Sequence, residues 1–186
     1  IAPLRPQLVA EPTFLDRGMV RGEQTLVPFT VRNVGGVASG PVDILPPAVS
    51  WMKIAGTDQL ASLEPGESTT VNVLLEPPAD LPLLIYPGTI GIGNGRVGLA
   101  LPYRFRAMST AVGDLVVTAT DQYTYYVAGS PKLTNAVVTV SDPFTGQTVT
   151  NSVTDAAGQV RFASLAEGAY TVDVTAPKHN TFRSTA

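Results

Sequence analysis

No window of this chain carries apolar residues at the i, i+3, i+4, i+7 spacing for long enough, free of Pro and Gly, to form an amphipathic helix. That absence confines the fold to β structure. In place of helical windows stand short runs rich in residues branched at Cβ, closed at both ends by Gly, Pro, Asn or Asp. Val (23) and Thr (21) are the commonest residues, and their stiff side chains suit a pleated surface. Gly and Pro fill 17 and 16 of the 186 positions and are spread along the chain, so turns are frequent and elements short. The spacing predicts an all-β sandwich architecture.

In the first half the predicted strands are 7–11, 25–33, 40–45, 51–54, 68–76, 86–92 and 98–106. Seven strands make an immunoglobulin-like count. The run from Leu26 to Arg32 alternates cleanly, with Val27, Phe29 and Val31 facing a core, and Pro28 in that run implies an edge strand. The segment 106–113 is small and polar and lacks alternation, and a fresh series of β runs follows it: 114–120, 137–141, 147–154, 159–164, 168–176 and a last strand or tail from Asn180. The expected organisation is two unlike antiparallel sandwiches in tandem, residues 1–108 and residues 109–186. Three turns in the second half, ending at Gly146, Gly158 and Gly168, place Gly where positive φ is wanted.

Residues 133–183 resemble the carboxypeptidase regulatory-like family, a transthyretin-type (prealbumin-like) sandwich of secreted and surface proteins. The resemblance rests on Asn135-Ala-Val-Val-Thr-Val140, Val153-Thr-Asp-Ala-Ala-Gly-Gln-Val-Arg-Phe162, Leu165, Glu167-Gly-Ala-Tyr170 and Val172-Asp-Val-Thr-Ala176. It implies a hairpin, a buried aromatic at Phe162, and Tyr170 entering the core beneath the last turn. The same stretch is similar to the Cna-B modules of Gram-positive adhesins and pili, including Ala176-Pro-Lys-His179. The intramolecular cross-link of those modules does not carry over, because 115–120 has no Lys and Val174 stands at the carboxylate position. The first half resembles bacterial immunoglobulin-like domains through Phe29-Thr-Val-Arg-Asn-Val-Gly-Gly36, Leu63-Glu-Pro-Gly-Glu-Ser68, Val71, Val73 and Tyr86-Pro-Gly-Thr-Ile90. That likeness implies a sixth strand opening on a tyrosine corner at Tyr86. Neither family has catalytic residues in these modules, and fold analogy does not settle function.

Composition excludes much chemistry. One His and no Cys remove zinc fingers, Cys/His nucleophile pairs, haem and iron–sulfur ligation, and a net charge of −3 offers no basic surface for nucleic acid or anionic lipid. No stretch reaches the roughly 18 apolar residues that a membrane helix needs. The start has neither Met nor a basic-then-apolar leader, which suggests a fragment or a processed chain. Gly93-Asn-Gly-Arg-Val-Gly98 fits G-x-G-x-x-G, but a strand with Pro102 follows where a helix is required. Asn94-Gly95 therefore predicts a type I′ hairpin. His179 has no nucleophile motif beside it and reads as a loop histidine near the end of a sandwich. Asp114, Asp121, Asp142, Asp155 and Asp173 could give oxygen ligands to calcium, yet match no calcium loop, and each has a local role in its own turn.

The remaining candidate is Asp121-Gln-Tyr-Thr-Tyr-Tyr-Val127, which holds half of the six Tyr. Alternation would put Tyr123 and Tyr125 on one face, and with Tyr126 the rings either contact a carbohydrate or protein ligand or cover the sandwich end. Trp51 reads as a core or edge anchor. The expected function is a non-catalytic structural spacer or interaction segment of a larger secreted or cell-surface bacterial protein, an adhesin-like stalk without catalytic residues, cofactor or metal. A carbohydrate- or protein-binding module, accessory to a secreted hydrolase, is the alternative. The expected partners are neighbouring domains of the same chain, with neither nucleic acid nor membrane insertion.

Overall fold

The computed structural model describes residues 4–123 and 131–186. They form fifteen strands and, among the described residues, no helix. The chain divides into two compact units, Ile1–Met108 and Ser109–Ala186.

In the first unit, β1 (Leu8–Glu11), β3 (Thr25–Asn33), β7 (Ser68–Leu75) and β5 (Met52–Ala55) make one sheet in the order β1-β3-β7-β5. The second sheet runs β2-β9-β8-β4-β6, from β2 (Leu15–Val20), β9 (Gly98–Met108), β8 (Ile85–Gly93), β4 (Val42–Leu45) and β6 (Gln59–Leu60). One core draws on both sheets: Val27, Phe29, Val31, Val71, Val73 and Leu75 from the first, Leu15, Met19, Ile90, Ile92, Leu101 and Phe105 from the second. Each of these fully buried side chains contributes roughly 1.5–3 kcal/mol relative to exposure. Trp51 is 6% exposed and sets its indole edge-on against Tyr86 (5.5 Å) and Phe105 (6.4 Å), so it is a core anchor. The Tyr86 hydroxyl donates to the Pro82 carbonyl at 2.8 Å, which is the expected corner.

Three expectations change here. The unit is not wholly antiparallel: β2, which was not predicted at all, pairs in parallel with β9 from Leu15↔Tyr103 to Val20↔Met108. Its inward residues Leu15 and Met19 are four apart, with Asp16, Arg17 and Gly18 between them, so no period-2 signal exists. Pro28 does not mark an edge strand, because β3 lies between β1 and β7. It is tolerated because β1 reaches only as far as Thr30 (Glu11↔Thr30), leaving the flank of β3 at Pro28 without a ladder. Gly93↔Gly98 closes the β8–β9 hairpin, but over four residues rather than two. Gly95 (φ 82) is left-handed while Asn94 is not, and the Asn94 side chain organises the loop by accepting from Arg96 N and Val97 N and donating to Ser39 O and Pro41 O.

Asn33, fully buried at the end of β3, ties the unit together. Its Oδ1 accepts from Gln7 N (3.2 Å) and Gly35 N (3.0 Å), and its Nδ2 donates to Val37 O and Leu63 O, both at 2.8 Å. The N-terminal segment passes so close to the following turn that a Cβ on Gly35 would stand 2.4 Å from Arg5 O and Gln7 N, and only glycine fits.

The second unit pairs β10 (Val112–Thr118) with β13 (Gln159–Ala166), and sets β12 (Thr148–Val153), β11 (Val137–Ser141), β14 (Thr171–Thr175) and β15 (Phe182–Thr185) in a second sheet, order β12-β11-β14-β15. Val138, Val140, Val160, Phe162 and Val172 form its buried core, with Leu115, Val117, Tyr170 and Val174 partly buried against it. Phe162 is thus the buried aromatic expected, and the Tyr170 hydroxyl donates to the Ala166 carbonyl, a second corner of the same form as Tyr86. Gly146 (φ 70) and Gly158 (φ 68) are left-handed as expected and Gly168 is not; within β13, Ser164 (φ 55) is left-handed.

Asn33→Asp keeps the size of the side chain but turns a carboxylate oxygen toward two buried carbonyls. It is expected to destabilise the first unit by about 2–4 kcal/mol, read by urea denaturation on the fluorescence of Trp51, the only tryptophan of the chain.

Candidate functional site

Of the candidate tyrosines, Tyr123 falls at the mouth of a groove in the second unit. A two-stranded sheet cannot cover a four-stranded one, and the space left between β10 and the β14–β15 side measures about 1080 Å³ among the described residues. Its apolar lining includes Leu115, Val117, Val172, Val174 and Phe182, and Phe182 is 65% exposed.

Tyr123, at the mouth, is 86% exposed. It sits in a turn, where its N–H donates to Asp121 Oδ1 at 2.9 Å, so the strand alternation expected to carry it is not present at that residue. Tyr125 and Tyr126 lie outside the described residues. His179 stands at the same mouth, in the turn between β14 and β15. Its Nδ1 is 2.8 Å from Pro177 O and its Nε2 is 3.6 Å from Asp121 Oδ1. The first contact lies within the β14–β15 turn, and the second brings the ring beside the turn at Asp121. The ring is a loop histidine at the end of the sandwich, and its carboxylate neighbour is Asp121.

The five aspartates weighed as calcium ligands are not brought together. Asp142 Oδ1 accepts from Phe144 N (2.8 Å) and Thr145 N (3.2 Å), and Asp155 Oδ1 from Ala157 N (2.8 Å) and Gln159 N (2.9 Å). Asp173 takes both ends of the Arg183 guanidinium across β14–β15, at 2.7 and 2.9 Å. Asp114 sits at the bulge in β10, where it pairs with Arg161 and accepts from Ser164 N at 2.9 Å. Among the described residues no three His, Asp or Glu side chains gather in a way that could hold a metal ion. Sequence reasoning singled out Tyr123 as a ligand contact and read His179 as a loop residue, but gave no sign of the groove. The available signal was the strand count, six strands divided unequally between two sheets.

No family model matches the chain, and no curated protein matches it either. Among solved structures it is similar to the SrpA adhesin of Streptococcus sanguinis, with 13% identity and a TM-score of 0.45 over 99% of this chain and 92% of that one. It is also similar to BcpA, the major pilin subunit of Bacillus cereus, with 10% identity and a TM-score of 0.32, covering 99% of this chain and 65% of the pilin. A family 123 glycoside hydrolase from Clostridium perfringens matches 53% of this chain at 11% identity and a TM-score of 0.44, and the match spans 23% of the hydrolase. With TM-scores below 0.5, the fold rests on this chain's own strands and registers.

The hydrogen bond from Arg161, then that from Ser164 N, hold the Asp114 carboxyl below the usual carboxylate range, and Arg183 does the same for Asp173. Because both groups are lowered on folding, their contribution is present above about pH 4 and is lost as pH falls through the folded values. Asp114→Asn is therefore expected to lower the melting temperature of the second unit at pH 7 and to flatten its decline between about pH 5 and pH 2. Asp114→Asn with Asp173→Asn should flatten it further; calorimetry across that range measures both.

Proposed function

We propose that this chain is a non-catalytic spacer and interaction segment of a larger secreted or cell-surface bacterial protein, the stalk of an adhesin-like molecule. The carrying observation is how its polar side chains are used. Asn33, Asn94, Asp114, Asp142, Asp155, Thr154 and Asp173 each bind a turn or a neighbouring strand of their own unit, which builds scaffold rather than a reaction centre. Support also comes from chain economy: β9 ends at Met108 and β10 begins at Val112, so only Ser109, Thr110 and Ala111 join the two units. So short a link leaves little chain open to proteases, which suits a stalk segment.

At the level of family, we read residues 109–186 as a carboxypeptidase regulatory-like or Cna-B-like unit and residues 1–108 as a bacterial immunoglobulin-like unit. Buried Phe162 and the Tyr170 and Tyr86 corners favour that reading. Among the described residues no helix is long and apolar enough to cross a membrane. A second reading, a carbohydrate- or protein-binding module that could accompany a secreted hydrolase, is favoured by one observation: Tyr123 stands exposed at the mouth of an apolar groove.

Two measurements bear on these readings. Scanning calorimetry of the full chain should resolve two cooperative transitions, and a single one would remove the two-domain organisation. On a glycan array the chain should retain no sugar; binding that disappears with Tyr123→Ala and Tyr125→Ala would install the second reading in place of the first.

A further inference from the structure

The groove of the second unit has an apolar length and a polar end. Leu115, Val117 and Ala119 recur at every second position along and just past β10, so they share one face over about 13 Å. Val172, Val174 and Ala176 repeat that spacing along and just past β14. Ala119 and Ala176 belong to one buried cluster, which sets the C-terminal ends of β10 and β14 together. Beyond that cluster the lining turns polar, with Gln122 from one turn and Lys178 and His179 from the other.

Charge is distributed unevenly along this trough. The chain carries 15 Asp and Glu against 12 Lys and Arg, yet among the described residues no carboxylate lines the groove. His179 already has the Asp121 carboxylate beside it at 3.6 Å, whereas the Lys178 ammonium has neither an ion pair nor a hydrogen bond among the described residues. Lys178 is also held left-handed (φ 66), a conformation that glycine would adopt without strain. An apolar trough with an unanswered positive charge at one end is complementary to an unbranched hydrocarbon chain that ends in an anion. Other occupants fit less well. A sugar needs polar groups or ring platforms along its length, and the inward positions of β10 and β14 here are Leu, Val and Ala. An added peptide strand needs a regular edge, and β10 is bulged between Gly113 and Leu115. The volume of about 1080 Å³ stands at the upper end of small-molecule sites, and the 13 Å wall suits an extended chain of about ten carbons.

We propose that the groove binds a free medium-chain carboxylate, its tail lying along Leu115, Val117, Val172 and Val174 and its head group on the Lys178 ammonium. The ligand takes the groove considered in the second reading above but belongs to a different chemical class, and it does not depend on the stalk. Titration calorimetry of the full chain with dodecanoate, below the concentration at which it forms micelles, should show one molecule bound per chain. The shorter octanoate should bind at least about tenfold more weakly, since each buried methylene is worth roughly fourfold. Lys178→Gln, in an exposed turn, should weaken dodecanoate about three- to fivefold and leave dodecanol, which has the tail without the charge, unchanged. Ser184 is two residues from Phe182 on the lining face of β15, so Ser184→Phe should fill the groove and abolish binding of both. Absence of dodecanoate binding overturns the proposal. So does a Lys178→Gln chain that binds dodecanoate undiminished or loses dodecanol equally, and so does a folded Ser184→Phe chain that still binds. If Ser184→Phe does not fold, chain length and Lys178→Gln decide. A chain that dimerises in sedimentation and takes dodecanoate only when diluted to monomer gives the groove to a second copy and overturns the proposal as well. A glycan retained on the array by a chain that ignores dodecanoate would support the second reading while removing this ligand.

Discussion

A buried amide governs the first unit. Asn33 joins the N-terminal segment, the turn that follows β3 and the segment around Leu63, and it does so with all its donor and acceptor capacity directed at backbone. A hydrophobic side chain of the same volume would fill the space and deprive Val37 O, Gln7 N and Gly35 N of the partner they have here, leaving Leu63 O with Ser39 N alone. Apolar packing between the sheets is generic by comparison, since Val, Ile and Leu exchange with small losses. The direction in which three loops leave the sandwich is not generic, and it depends on one amide. Ser39 extends the same knot, because its hydroxyl accepts from Leu63 N and donates to Gly40 O.

The second unit solves the same problem with less material. Thr154, nearly fully buried, accepts from Ala136 N and donates to Leu133 O, closing the loop between β12 and β13 against the start of β11. Its core is smaller, and Leu115, Val117 and Val174 remain partly buried because the β10–β13 sheet does not cover the facing sheet. Charged pairs across neighbouring strands, Asp114–Arg161 and Asp173–Arg183, sit on the surface of this unit.

Legibility in the sequence followed the kind of force involved. β3 was readable because Val27, Phe29 and Val31 alternate with polar positions and bury on one face, a local pattern of period two. The corner at Tyr86 and the buried ring of Phe162 were readable through resemblance, because both depend on residues fixed relative to a turn. β2 was not, since Asp16-Arg17-Gly18 destroys alternation and the strand exists only because β9 offers an edge far along the chain. The β8–β9 hairpin was visible in its glycines, whereas its loop length was not, because the Asn94 side chain bonds both within the loop and to Ser39 O and Pro41 O. At the candidate site, local signals placed His179 on a loop, whereas Tyr123, expected on an alternating face, sits in a turn. The groove beneath them arises from how two sheets of unequal width fail to cover each other, which no run of residues encodes.

The parallel pair also sets a schedule for folding. Asp16 and Arg104 are separated by 88 positions, so a chain that folds as it is delivered from its N-terminus holds Leu15 and Met19 without their native partner until the last strand of the unit arrives. During that wait the segment could pair with any passing strand edge. Asp16, Arg17 and Gly18, the residues that hid β2 from a reading of periodicity, divide its two apolar anchors and make it a poor template for such pairing. What looks like a defect in the strand is what keeps it solitary until β9 is there to receive it.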